Sequence, residues 1–262
     1  MIDLHLHTAA SDGRCTPHEL VERALRAGVT VMAVTDHDTV AAVSDVQSAA
    51  KACGIEVITG IEITAIERGR DIHLLGYFID PGDSELAAFL AKQRTQRMAR
   101  VEELGARLAQ LGMPIDLESV LMQAREQPGR SVGRPQIARA MVAAGYVADT
   151  REAFDRWLAT GRPAFVPRRG APPDEVINVV HRAGGLASLA HPGQTDVDSH
   201  IPEYVGAGLD AIAGYRNVAS RLKLLATGGS DFHGDADHGG EPGAVALPAE
   251  DWIHLRDAAA HA

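Results

Sequence analysis

Cysteine, positive charge and long apolar runs are all scarce in this 262-residue chain, and each shortage removes a class of explanation. Two cysteines, Cys15 and Cys53, are too few for a disulfide framework or a thiolate zinc site, so both read as ordinary small residues. A formal net charge of −10 argues against a protein that coats nucleic acid, duplex DNA included, through a general basic surface. No apolar stretch approaches the ~20 residues that a membrane span requires. The strand-like run Ile2 to His7 stands where a basic, apolar-centred leader would be. The expectation is a cytoplasmic protein with no membrane partner, working as a monomer or small homo-oligomer. Repeats and low-complexity tracts are missing too, apart from an alanine-rich C-terminus expected to fray.

What is present is a globular composition, 45% hydrophobic and 23% charged, enough for one large α/β domain or one domain with an insertion. The first eighty residues alternate strand and helix signals. Ile2 to Leu6 is apolar, and Thr16-Pro17 opens a helix that Gly28 stops. Val29 to Thr35 reads as a buried strand, a second helix runs from Thr39 to Ala52, and short strands follow at Ile55 to Thr59 and Ile72 to Phe78. This βαβ rhythm predicts a parallel sheet covered by helices. From Ser84 the strand signals stop. A long helix carries Val101, Leu104, Leu108 and Leu111 on one stripe, and helical pieces follow at Leu117 to Arg125, Arg134 to Ala144 and Thr150 to Thr160. The rhythm then returns with a helix at Asp174 to Arg182, a strand at Leu186 to Ala190, and apolar runs at Leu209 to Ala213 and Leu224 to Thr227. The predicted plan is an α/β barrel-type domain made of 1–83 and 169–262, interrupted by an all-helical insertion at 84–168.

Charge follows the same division. Between Glu85 and Gly170, thirteen arginines and one lysine face nine acids, a net +5 that leaves −15 on the rest of the chain. An acidic, metal-collecting body carrying a basic segment for an anionic substrate accounts for this; so do arginines on solvated helix faces.

The strongest signal is where imidazoles and carboxylates fall. His5 and His7 share one face of the first strand through its period of two, and Asp12 lies in the loop beyond. The next strand ends in Asp36-His37-Asp38, Glu62 follows the third strand after Gly60, and His73 lies in the fourth. Later strands run into His191-Pro192 and Ser230-Asp231-Phe232-His233. A lone histidine is usually structural, but six of the twelve occupy the same relative place in successive strand units, and the C-terminal strand ends of a parallel barrel open onto one face. His18, His181, His200, His238, His254 and His261 fall in helices, loops or the tail and read as structural or exposed.

Nine such donors exceed the four of a tetrahedral zinc and suit two or three divalent ions sharing carboxylates. Mixed imidazole and oxygen ligation fits Zn²⁺, Mn²⁺ or Fe²⁺. Paired ions can activate a water as hydroxide and clamp the oxygens of an in-line displacement at phosphorus, which makes phosphoester hydrolysis the natural chemistry. Amide or lactone hydrolysis at the same kind of centre is the alternative.

The runs Asp3-Leu4-His5-Leu6-His7-Thr8, Ser11-Asp12-Gly13, Thr35-Asp36-His37, Gly60-Ile61-Glu62, His73-Leu74-Leu75-Gly76, His191-Pro192 and Ser230-Asp231-Phe232-His233 together resemble the PHP family, named for polymerase and histidinol phosphatase. The resemblance implies a distorted TIM-like (β/α)7 barrel with a trinuclear metal centre. It implies that His5, His7, Glu62 and Asp231 bind one ion, Glu62, His73 and His191 a second, and Asp12, His37 and His233 a third. The helical insertion, with Ser131-Val132-Gly133-Arg134-Pro135 and the stretch Thr160 to Pro167, looks like the branch that removes the 3′-phosphate from nucleoside 3′,5′-bisphosphates or trims short RNA from its 5′ end. A small nucleotide or oligonucleotide phosphoester is the implied substrate, attacked by metal-activated hydroxide, with no separate side-chain base assigned. Arg94 and Arg97, three apart on one helix face, and Arg134 at a helix start are candidates for holding its phosphate. Between Asp210 and Leu225 the chain is shorter than the branch usually is and lacks Glu and His residues often found there, which bears on the rim of the site. The rival readings are a histidinol-phosphate phosphatase and a non-catalytic, metal-binding module of a polymerase assembly.

Overall fold

The structure, a computed structural model, describes residues 1–126, 129–194, 199–235 and 240–261. Among these, seven strands form one sheet in sequence order: β1 (Ile2–Leu6), β2 (Val31–Val34), β3 (Glu56–Glu67), β4 (Arg70–Tyr77), β5 (Leu186–Leu189), β6 (Ala211–Ala213) and β7 (Leu225–Thr227). The first helix, α1 (Pro17–Arg26), begins as its sequence predicts. Thr16 and Glu19 form a reciprocal capping box, Pro17 occupies the first turn, and Leu20, Val21 and Ala24 are buried.

The sheet is not all-parallel. β1 to β3 pair in parallel, as do β5 to β7, but β4 runs antiparallel to both neighbours. The cause is that β3 does not stop at Thr59. It continues through Ile61, Ile63 and Ala65, all fully buried. The chain then reverses at Arg68 (φ 50°) and Gly69 (φ 79°), a two-residue turn with both φ positive, as tight hairpins prefer. Gly60, which looks like a strand end in the sequence, is instead a point of close contact, since a Cβ there would lie 2.8 Å from the Val34 carbonyl oxygen.

The sheet curls until its ends meet. Leu4 N donates to Gly228 O at 3.2 Å and His7 N to Phe232 O at 2.9 Å, so the chain leaving β7 borders β1. Gly229 is required at this seam, because a Cβ would stand 2.3 Å from His5 N. Inside the curl, Tyr77 Oη donates to Leu4 O at 2.9 Å.

The remaining helices are α2 (Val43–Lys51), α3 (Ser84–Gln110), α4 (Leu117–Glu126), α5 (Arg134–Ala143), α6 (Thr150–Ala153), α7 (Pro173–Arg182), α8 (Ile201–Gly206), α9 (Arg216–Leu222) and α10 (Ala249–Ala259). A π-helical turn at Phe154–Leu158 continues α6. The 27 residues of α3 span about 40 Å and serve two cores. Leu86, Phe89 and Leu90 pack with Ile61 and Ile63 of the sheet, whereas Val101, Leu104 and Leu108 pack with Ile137 and Met141 of the helical region. Between these halves Gln93, Arg97 and Arg100 are buried polar residues, at the level where the helices face the sheet. The alanine-rich C-terminus is helical as far as Ala259 rather than frayed, because Trp252 and Leu255, one turn apart, pack under Leu4 and Tyr77.

Candidate active site

Each of the nine candidate ligands reaches the same place, but by different routes. β1 supplies His5 and the turn beyond it His7; the chain leaving β2 supplies His37, which bridges to Glu62. Glu62 and His73 do not follow strand ends: they lie within β3 and β4, where Glu62 opposes Leu75 and Thr64 opposes His73. That register makes Glu62 and His73 diagonal neighbours on one face of the hairpin. His191 leaves β5 with φ 24° and Asp231 follows β7 with φ 54°. Both are in a region that side chains other than glycine seldom occupy, a form of strain that recurs at functional sites.

Glu62, 1% exposed, is the hub. Its Oε2 lies 3.0 Å from His5 Nε2, 3.1 Å from His7 Nε2 and 3.4 Å from His37 Nδ1, while Oε1 lies 2.9 Å from His73 Nδ1 and 3.1 Å from His191 Nε2. Asp231 Oδ1 adds contacts of 3.2 Å to His5 and 3.3 Å to His7. Asp12 stands at 3.4 Å from His233 Nε2 and 3.6 Å from His37 Nε2. Three overlapping donor groups result: His5, His7, Glu62 and Asp231; His7, Asp12, His37 and His233; and His37, Glu62 and His73.

The protonation balance is that of a cation site. Burial opposes charge on Glu62, yet the imidazoles of His37, His5 and His73 outweigh it and hold the carboxyl well below its usual range. Asp12 and Asp231 are depressed against burial in the same way, chiefly by His37 and by His5 respectively. Burial would lower His7, but the adjacent carboxylates of Asp231 and Glu62 raise it well above the usual imidazole value. Burial, reinforced by the neighbouring imidazoles, drives His37 well below that value. Although His7 Nε2 and His37 Nδ1 lie within ion-pair distance of Glu62, neither makes an aligned hydrogen bond, and both nitrogens of His7 are buried without one. Buried nitrogens seldom lack partners. Imidazole nitrogens and carboxylate oxygens gathered this closely, with some of the nitrogens left without an aligned partner, fit divalent ions that take oxygen and imidazole donors.

Acids adjoining the ligands in sequence hold the loops that present them, a role the residue pattern alone did not assign. Asp36 accepts from Thr8 N (2.8 Å), Thr8 Oγ1 (2.6 Å) and Ser11 Oγ (2.6 Å), fixing the turn that carries Asp12. Asp3 accepts from Ser230 N (2.9 Å), Ser230 Oγ (2.7 Å) and Gly243 N (2.6 Å), fixing the turn that carries Asp231.

A cavity of ≈ 220 Å³ opens over the cluster, bounded on its far side by Asp71, Arg97, Arg134, Arg168 and Phe154. Of the three arginines expected to hold phosphate, Arg134 points here, paired with Asp71 Oδ2 at 3.2 Å and lying over the Phe154 ring. Arg97 is held by the Asp38 carboxylate and donates to Thr64 Oγ1 at 3.0 Å. Arg94 is not among the lining residues and donates to Asp38 O at 3.2 Å. Arg168, which the residue pattern did not single out, lines the cavity with Nε 3.8 Å from Asp71 Oδ2. Burial, then the nearby charge of Arg97, pushes its guanidinium down to about 9. The only sequence signal for Arg168 is its place directly after the Thr160 to Pro167 stretch. Of the other histidines, His181 pairs with Asp210 at 2.7 Å and His200 lies 3.5 Å from Glu203. His18, His254 and His261 are exposed, and His238 lies outside the described residues.

Comparison with known proteins places these features in context. The PHP domain profile matches residues 3–130. The chain is 31% identical to the 3′,5′-nucleoside bisphosphate phosphatase of Chromobacterium violaceum, over 92% of this chain and 90% of that one. It is 40% identical to a 5′-3′ exoribonuclease of Haemophilus influenzae, over 72% of this chain and 68% of that one. The solved structure of a Bifidobacterium adolescentis protein assigned as a metal-dependent phosphoesterase superposes with a TM-score of 0.87 at 30% identity, over 97% of this chain and 94% of that one. No helix among the described residues is long and apolar enough to cross a membrane.

Proposed function

The chain belongs to the PHP domain family of metal-dependent phosphoesterases, and on that premise we propose that it hydrolyses nucleotide phosphoesters: the 3′-phosphate of nucleoside 3′,5′-bisphosphates, short 5′-phosphorylated oligonucleotides, or both. The observation that carries the reading is the meeting, across one cavity of ≈ 220 Å³, of the imidazole–carboxylate cluster with Arg134 and Arg168. In this reading His5, His7, Glu62 and Asp231 hold one divalent ion, Glu62, His73 and His191 a second, and Asp12, His37 and His233 a third, with Mn²⁺, Zn²⁺ and Fe²⁺ the fitting ions. When bound, such ions supply a water acidified to near-neutral pKa and positive charge for the phosphoryl oxygens.

The chain's own residues do the rest. Arg134 and Arg168, steadied by Asp71, present guanidinium forks to a second phosphate, so that a substrate bearing two phosphates is oriented with one over the cluster. Asp36 and Asp3 keep the Asp12 and Asp231 turns fixed. The fold is read as a distorted (β/α)7 barrel with one reversed strand, over which residues 84–168 form a substrate cap.

The test is phosphate release by chelated enzyme reloaded with Mn²⁺, offered a nucleoside 3′,5′-bisphosphate, a 5′-phosphorylated short RNA and histidinol phosphate. Metal-dependent turnover of either nucleotide substrate is expected, and turnover of histidinol phosphate alone would overturn the substrate class. His191→Ala and Asp231→Ala are expected to keep the fold and lose most activity; full activity in either would overturn the ligand assignment.

A further inference from the structure

The cavity over the donor cluster has neighbours. A second cavity of ≈ 310 Å³ shares Pro135 and Phe154 with it, and a third of ≈ 560 Å³ shares Arg14 and Arg139 with the second. The three therefore adjoin one another across shared walls, in a row from the cluster past the start of α5 to the cleft between α4, α5 and the turn that carries Asp12.

The walls of this path are cationic. Arg14 and Arg139 line the second and third cavities, Arg151 the second and Arg130 the third. The carboxylates among the lining residues are Asp235 in the second and Asp116 in the third. Asp116 is engaged by Ser119, whose N and Oγ donate at 3.1 and 2.6 Å. Arg139 Nη1 donates to Asp12 O at 3.2 Å, tying the path to the turn that presents a cluster ligand. Burial and the like charge of Arg14 hold the Arg139 guanidinium below its usual range. Like charges converging on a cleft repel unless an anion joins them, and repeating anions along a strand answer several at once. The Phe154 ring, at the junction of the first two cavities, adds an aromatic surface. A cationic groove with an aromatic platform is the construction that binds single-stranded nucleic acid without reading its sequence.

We infer that this path binds the trailing strand of an oligonucleotide whose 5′ end lies at the donor cluster, with backbone phosphates on Arg14, Arg139 and Arg130 and a base against Phe154. The inference rests on the nucleotide reading above and decides within it: a strand of several nucleotides uses the whole path, whereas a nucleoside bisphosphate fills its first cavity.

The test measures binding apart from turnover. Fluorescence anisotropy follows a 3′-labelled, 5′-phosphorylated hexanucleotide and a labelled mononucleotide on the full chain in chelator, for wild type, Arg14→Gln with Arg130→Gln, and Arg14→Lys with Arg130→Lys. Wild type is expected to bind the hexanucleotide more tightly than the mononucleotide. The glutamine pair is expected to weaken hexanucleotide binding at least about 10-fold and to flatten the log–log salt dependence by about 1.4, at about 0.7 for each phosphate no longer neutralised. The lysine pair is expected to retain most of the affinity, and all three proteins to melt at the same temperature. With Mn²⁺ restored, kcat/KM of the glutamine pair should fall for the hexanucleotide and not for the bisphosphate. Equal affinity in wild type and the glutamine pair, or equal loss on both substrates, would overturn the path. If wild type turns over no nucleotide phosphoester at all, it is the functional reading that fails; turnover with length-independent binding sinks only the path.

Discussion

Glu62→Gln, set against Asp12→Asn, measures how far the cluster's cations depend on one shared carboxylate. Glu62 lies within 3.4 Å of five imidazoles and belongs to two of the three donor groups, whereas Asp12 belongs to one. Binding energy at such a site is also folding energy. An ion at about one hundred times its Kd adds about 2.7 kcal/mol to stability, and a chain of roughly this size gains about 2–4 °C in Tm per kcal/mol. Each retained ion should therefore raise Tm by about 5–11 °C. The assay is thermal unfolding of each protein in chelator and again in excess Mn²⁺, each variant referred to its own chelated baseline, with bound metal counted by mass spectrometry after desalting. The expected order of metal-induced gain is wild type, then Asp12→Asn, then Glu62→Gln, and bound metal should fall in the same order. Glutamine keeps the shape and hydrogen-bonding span of the side chain and removes its charge, so the comparison isolates the anion. If Glu62→Gln kept the wild-type gain and the wild-type metal content, the shared-carboxylate arrangement would be wrong.

Two further outcomes follow from the cationic wall. Arg168→Met should lower kcat/KM for a nucleoside bisphosphate about 10- to 150-fold, the equivalent of one charged hydrogen bond of about 1.5–3 kcal/mol. It should leave p-nitrophenyl phosphate, which has no second phosphate, little changed; equal losses on the two would make Arg168 a structural residue. Asp71 supplies a pH signature. Burial raises its carboxyl, but Arg168, Arg134 and Arg100 outweigh burial and hold it below the usual range. A depressed carboxyl contributes stability above its unfolded value of about 3.9, and that contribution is lost as pH falls through the lower folded value. The gap in urea midpoint between wild type and Asp71→Asn should thus be full near about pH 7 and close only below about pH 4. A gap unchanged into acid would show that Asp71 acts through packing.

Much of the architecture was legible in the chain because local chemistry specifies it. Thr16-Pro17 with Glu19 announces α1, and the apolar stripe from Val101 to Leu108 announces the second half of α3. The placement of imidazoles and acids on β1, after β2 and beyond β5 and β7 marked the cluster, since those residues occupy strand ends whose direction the βαβ rhythm sets. The parallel reading failed at β3 and β4, where Gly60 reads as a terminator in sequence. Whether a glycine ends a strand or lets a neighbour approach depends on the Val34 carbonyl opposite it, which no local pattern contains. The same limit explains Trp252 and Leu255, whose packing under β1 and β4 turns an alanine-rich tail into α10.

The chain by itself therefore determined the donor types, the strand-end association of those outside β3 and β4, and the segregation of basic charge into one segment, because composition and period are local properties. Only the tertiary structure decided which arginines meet the cluster. Arg94 and Arg97 are spent on Asp38, Arg134 and Arg168 converge through Asp71, and Arg14 and Arg139 line one cavity although far apart in sequence. A guanidinium's long side chain reaches whatever carboxylate the fold brings near, so its partner is set by contacts between distant segments rather than by its neighbours in the chain.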